Sequence, residues 1–156
     1  MIQIVKATEE DLGQISQLFN EYDKEIEKYF PQNHLALLQK LQSEHGDNPQ
    51  RRKNIIQAIH DEKNLFLVAK ENEKMIGCVL GWLESDTNIG RFDQLILSSQ
   101  SEEKEILEKL YLELEKWFKT KGCPYVVINV LIQNPRKRLY EKFGFEPVLE
   151  EMRKII

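Results

Sequence analysis

The sequence predicts a mixed α/β domain, a central mixed β-sheet flanked by helices, with residues 1–156 as a single unit. Residues 65–83 hold two apolar runs around a polar turn, which is the pattern of a β-hairpin. Residues 101–121 place Ile106, Leu107, Leu110, Leu114, Trp117 and Phe118 on one helical stripe. Residues 125–132 are nearly continuous in apolar and β-branched side chains, so a central strand buried on both faces is expected there. A chain of 156 residues, 41% hydrophobic and 31% charged, is long enough to bury one core.

In chain order, Ile2, Ile4 and Val5 mark a short first strand. Thr8 offers a helix N-cap, Glu9, Glu10 and Asp11 load the first turn, and Leu12, Ile15, Leu18, Phe19, Tyr22 and Ile26 recur at helical spacing. Leu35, Leu38 and Leu41 predict a second helix, and Ile55, Ile56 and Ile59 a third. Residues 43–50 between them, with Gly46, Asn48 and Pro49, read as a loop. Residues 65–69 and 75–83 are the hairpin strands, and 91–97 a further strand. Gly122 ends the long helix. Asn134 and Pro135 open a short helix carrying Leu139, Tyr140 and Phe143. The tail from Phe145 to Ile156 alternates enough for one or two last strands.

Composition narrows the function classes. A net charge of −4 argues against nucleic acid or an anionic membrane as main partner, since both need clustered basic surface. No apolar run approaches the roughly 18 residues of a membrane span. Met1 to Lys6 lack the basic start and apolar core of a secretory signal, so a cytoplasmic location is expected. Cys78 and Cys123 are too few for a disulfide framework and read as packing residues. His34, His45 and His60 have no metal-ligand spacing, and no metal is expected.

Several short motifs carry a resemblance. Leu139-Tyr140-Glu141-Lys142-Phe143-Gly144-Phe145 resembles the L-Y-E-K-x-G-F signature of GNAT (GCN5-related) N-acetyltransferases. Trp117 to Cys123 is similar to the end of that family's central helix, the Gly77 strand to its "I-V-G" strand, and Asp93 to Leu97 to its fourth strand. The resemblance implies the GNAT acyl-CoA N-acyltransferase fold. It also implies acetyl transfer by direct attack, from acetyl-CoA to an amine of a small molecule or peptide. Backbone groups of Leu95, Ile96 and Leu97 would then pair with the pantetheine arm. Backbone N–H groups opening the next helix, near Ile106 and Leu107, would hold the pyrophosphate. Tyr140 stands at the position of the acid that protonates the leaving thiolate, or is a core aromatic.

Other roles have two readings each. Lys104 is a phosphate donor or an exposed helix lysine. Gln133 is the nominal pantetheine contact if Asn134 caps the last helix. Glu84 and Asp93 are candidate general bases or strand-end carboxylates. Arg136 reaches the 3′-phosphate or belongs to a solvated basic face with Lys137 and Arg138.

The sequence departs from the family at the phosphate loop, where Glu102-Glu103-Lys104-Glu105-Ile106-Leu107 stands in place of an R/Q-x-x-G-x-G/A pattern. Glycine permits close backbone approach to phosphate, whereas glutamate adds bulk and like charge. Two classes of function therefore remain in view: the acetyltransferase, and a non-catalytic GNAT-like binding or regulatory domain without tight acetyl-CoA binding. Another acyl-CoA is a third option. The acceptor is unspecified, and a monomer and a homodimer are equally compatible.

Overall fold

Leu65 to Ala69 and Met75 to Leu83 form the paired strands β2 (Asn64–Glu71) and β3 (Lys74–Leu83). Asn72 and Glu73 join them with φ of 49° and 64°, the left-handed pair that a two-residue hairpin turn requires. A computed structural model describes residues 1–30, 32, 48–99, 101, 104–154 and 156. The expected helix on Leu35, Leu38 and Leu41 lies outside these residues.

β1 (Ile2–Lys6) runs antiparallel to β2, with Ile4 opposite Ala69. β3 pairs on its other side with β4 (Gly90–Phe92) and β5 (Ile96–Leu97), both antiparallel. β4 then pairs with β6 (Val126–Val127) in parallel. The sheet is therefore mixed, as its sequence pattern predicts.

Helices cover both faces. α1 (Leu12–Ile26) follows a 3-10 turn over Glu9–Asp11. Asp11 fixes this entry: its carboxylate accepts from Thr8 N–H at 2.9 Å and pairs with Lys70 at 2.6 Å. Burial pushes the Asp11 carboxyl up, but Lys70 and Thr8 together outweigh it and hold the group below the usual carboxylate value. α2 (Pro49–His60) starts inside the stretch whose Gly, Asn and Pro read as loop. Asn48 Oδ1 accepts from Arg51 N–H at 2.9 Å, and Pro49 takes the first turn, where its missing N–H costs nothing. Ile15 and Leu18 of α1 and Ile55 of α2 pack with Phe66, Val68, Cys78 and Ile96 on one face.

On the other face α3 (Lys104–Thr120) lays Ile106, Leu110, Leu114 and Phe118 over Leu65, Leu67, Val79 and Leu95. Gly122, at φ +70°, ends it, with Cys123 N–H returning to Phe118 O at 3.1 Å. Phe118 lies so close to β4 that a Cβ on Gly90 would meet its ring at 2.5 Å. Phe118 is fully buried and has no room to retreat. Gly90→Ala is therefore expected to cost about 1–3 kcal/mol, read as a lower denaturation midpoint at unchanged m-value.

The sheet differs from expectation at its far edge. The segment 125–132 contributes only Val126–Val127 to the ladder and is half buried rather than central. Val126, Ile128 and Val130 pack on the α3 core, while Tyr125 and Ile132 are exposed. Its apolar run presumes neighbours on both sides, and among the described residues only β4 pairs with it. Nor do the described residues of the tail form the one or two expected strands; Val148 and Leu149 are exposed. α4 (Lys137–Lys142) follows residues 134–136 and carries Tyr140 into the core.

Candidate active site

The strand predicted over 91–97 is broken in two, and the break makes the site. Phe92 stands opposite Gly81 and Ile96 opposite Cys78. Three residues, 93–95, thus face two, 79 and 80, on β3: a β-bulge. Asp93 N–H still reaches Leu80 O at 2.9 Å, but Leu95 is turned out of the β3 ladder. At the same level β4 and β6 part: ladder pairing ends at Arg91 and Val127, and β5 has no partner on that side among the described residues. The side-chain amide of Gln94 crosses the gap, donating to Asn129 O. A cavity of about 110 Å³ opens here, lined by Trp82, Arg91, Phe92, Asp93, Gln94, Val127 and Asn129.

Tyr140 closes the gap from α4. Its hydroxyl accepts from Leu95 N–H at 3.2 Å and donates to Gln94 Oε1 at 3.0 Å. The ring is 2% exposed and edges onto Phe92 and Phe145 at centroid distances of 6.0 and 6.2 Å. Burial pushes its hydroxyl up to about 12, against the opposing pull of Leu95 N–H and Arg136. Tyr140 is thus both a core aromatic and a protonated hydroxyl at the bulge.

Arg136 lies within the cleft and not on a solvated basic face. Its guanidinium donates to Leu95 O, approaches Glu25 at 3.4 Å and sits 5.4 Å from the centre of the Tyr22 ring. Both main-chain groups of Leu95 are therefore held by side chains, Tyr140 on N–H and Arg136 on C=O. Asn134, 4% exposed, accepts from Arg136 N–H at 2.9 Å and caps the turn into α4, which leaves Gln133 exposed.

Ile96 and Leu97 lie on β5 beside the gap. Lys104 is the first residue of α3, and Ile106 and Leu107 are buried with side chains in the core. Glu105 is exposed, while Glu102 and Glu103 lie outside the described residues. Just ahead of α3, Ser99 N–H and Oγ both donate to Glu21 of α1, at 3.2 and 3.1 Å. Asp93 is exposed at the cavity wall. Glu84 is bound by Thr87 at 2.8 Å and Arg91 at 3.1 Å, which hold its carboxyl below the usual value. Cys78, with its thiol pushed up to about 12 by burial, is a packing residue.

Sequence reasoning missed Glu21, Glu25 and Gln94. Each is a polar residue with a contact at least 35 positions away, and no local pattern signals such a contact. Tyr22 was visible only as part of the apolar stripe of α1.

A mixed sheet with a bulged, splayed pair of strands and helices on both faces is the architecture of the GNAT fold. Residues 18–145 match the Acetyltransferase (GNAT) family, and the chain belongs to it. No curated protein matches the sequence significantly. Among solved structures, the PaiA N-acetyltransferase of Thermoplasma acidophilum, in complex with coenzyme A, superposes with a TM-score of 0.72 at 20% identity, covering 92% of this chain and 88% of that one. A GCN5-related N-acetyltransferase of Ralstonia eutropha JMP134 gives 0.74 at 15% identity, covering 99% of both chains. An aminoglycoside acetyltransferase from an uncultured soil metagenomic sample, in complex with sisomicin, gives 0.69 at 12% identity, covering 99% and 96%. At these identities the likeness is one of fold.

Proposed function

We infer that this chain is an N-acetyltransferase that moves an acetyl group from acetyl-CoA to an amine of a small molecule or peptide, by direct attack. The observation that carries the reading is the Tyr140 hydroxyl, protonated and bonded to Leu95 N–H beside the gap between β5 and the segment after β6. The residues present fit the donor: the strands diverge, and the main chain of Leu95, Ile96 and Leu97 borders the gap. Backbone groups of Ile96 and Leu97 hold the pantetheine arm, those of Leu95 joining only when Tyr140 and Arg136 release them. The exposed Gln133 is the side-chain candidate for the same arm, and backbone N–H groups opening α3, at Lys104, Ile106 and Leu107, take the pyrophosphate. Acetyl-CoA supplies the activated thioester. Tyr140 gives its proton to the departing sulfur. Asp93, exposed at the cavity wall, or Glu84, just past the end of β3, takes the amine proton directly or through water.

One observation favours a second reading, a binding or regulatory domain without tight acetyl-CoA binding. Leu95 is already satisfied by the protein itself, and Glu21 already accepts from Ser99 ahead of α3. Calorimetric titration with acetyl-CoA, followed by an acetyl-transfer assay over a panel of primary amines, separates the two. Saturable binding with turnover supports the enzyme; absence of binding at millimolar acetyl-CoA supports the second reading.

A further inference from the structure

The Tyr22 hydroxyl is shielded from solvent and has no hydrogen-bond partner among the described residues. Leaving a hydroxyl in that state costs about 1–3 kcal/mol, so the position is suited to a partner that arrives from outside. α1 sets Tyr22 against the same core as Leu18 and Phe19. The Arg136 guanidinium is 5.4 Å from its ring centre and donates to Leu95 O, the residue whose N–H meets Tyr140. Tyr22 therefore borders the bulge from the α1 side, as Tyr140 borders it from α4.

The chemistry of the hydroxyl decides what it can take. Burial raises Tyr22 far above an ordinary phenol; Tyr140, Glu25 and Asp93 push the same way, and Arg136 opposes them. The group is thus a neutral donor at any working pH. A donor does not serve the attacking amine, whose lone pair must stay free for the acyl carbon. It does serve a carbonyl oxygen. In the transfer, the amine nitrogen bonds to the acyl carbon while the carbon–sulfur bond breaks. The thiolate takes one proton, and the surplus amine proton leaves to a base or water. Negative charge gathers on the acyl oxygen in between, where a fixed donor in a water-poor site has most effect. Leu95 N–H, the main-chain donor of the bulge, is engaged by Tyr140.

We propose that Tyr22 donates a hydrogen bond to the acyl oxygen of the acetyl-CoA thioester, beside the positive charge of Arg136. This rests on the acetyltransferase reading above. The test compares calorimetric affinities for acetyl-CoA and for S-ethyl-CoA, a thioether of similar size without the carbonyl, in wild type and Tyr22→Phe. Wild type is expected to prefer acetyl-CoA about two- to tenfold, the yield of one hydrogen bond. Tyr22→Phe is expected to bring that ratio near one, while the ligand-free protein melts at the same or a higher temperature because an unpartnered hydroxyl is gone. An equal ratio in both proteins, or equal weakening of both ligands, overturns the role of Tyr22 and leaves the enzyme reading standing. Failure of wild type to bind either ligand overturns the acetyl-CoA reading, and this proposal with it.

Discussion

Replacing Tyr140 by phenylalanine lowers the rate of acetyl transfer about 10²–10⁴-fold with little change in acetyl-CoA affinity, the expected loss of a positioned general acid. Placement and protonation together suit Tyr140 to this role. The hydroxyl lies at the bulge, bonded to Leu95 N–H at 3.2 Å, and burial keeps it protonated until about pH 12. An acid must hold its proton to act, so its contribution persists across the working range and falls only as pH rises through that value. No alkaline limb below about pH 11 should therefore trace to Tyr140. The substitution also leaves Leu95 N–H and Gln94 Oε1 without this partner, which costs about 1–3 kcal/mol of stability. A structural effect alone would lower the melting temperature and leave kcat of the folded fraction intact. Unchanged kcat, with chemistry shown to be rate-limiting, removes the acid role.

Glu21→Gln strengthens acetyl-CoA binding, by roughly 3- to 100-fold. Glu21 places a carboxylate on Ser99 N–H and Oγ, in the segment between β5 and α3 where the family resemblance puts the pyrophosphate. A unit charge about 6 Å from a phosphate charge repels it by roughly 0.7–3 kcal/mol across effective dielectrics of about 80 to 20. Glutamine keeps an oxygen for Ser99 and removes only the charge. The gain should shrink as salt rises, because these groups are exposed and screened beyond about 10 Å at 0.1 M. Adding Glu102→Gln and Glu105→Gln extends the same test to the stretch of sequence where glutamates stand in place of the family's arginine and glycine. If titration finds wild type already binding at low micromolar concentration, and the glutamines change nothing, the carboxylates do not face the phosphates. Thermal shift offers a second reading: ligand at a hundred times its dissociation constant stabilises by about 2.7 kcal/mol.

How far the sequence could be read follows from the range of each signal. The hairpin of β2 and β3 and the stripes of α1 and α3 were legible, because periodicity and turn chemistry are local. The break at 93–95 was not. Asp93 to Leu97 reads as one strand, and only the register on β3 reveals that Leu95 is surplus. The run 125–132 misled for the opposite reason: its composition reports the burial it is suited to, whereas the ladder depends on which strands meet it. Tyr140 was found through a motif. The sequence leaves Arg136 two readings, a contact to the 3′-phosphate or a place in a solvated basic run; Leu95 O, Glu25 and the Tyr22 ring hold it inside, which the run alone does not signal.

Leu95 is held by side chains 45 and 41 residues further along the chain, and one of them, Arg136, reaches back 111 residues to Glu25. No contiguous half of the polypeptide contains the whole constellation. The β2–β3 hairpin can close on a scale of about 1–10 μs from neighbouring sequence. The contacts around Leu95 instead await the meeting of segments near both termini, and such distant pairings are slow because loop entropy must be overcome first. Chain growth has the same order: a nascent polypeptide that has not yet released residues 136–140 can carry β1 to β5 without either partner of Leu95. The arrangement around Leu95 is thus a late acquisition in the life of each molecule, arriving after most of the sheet.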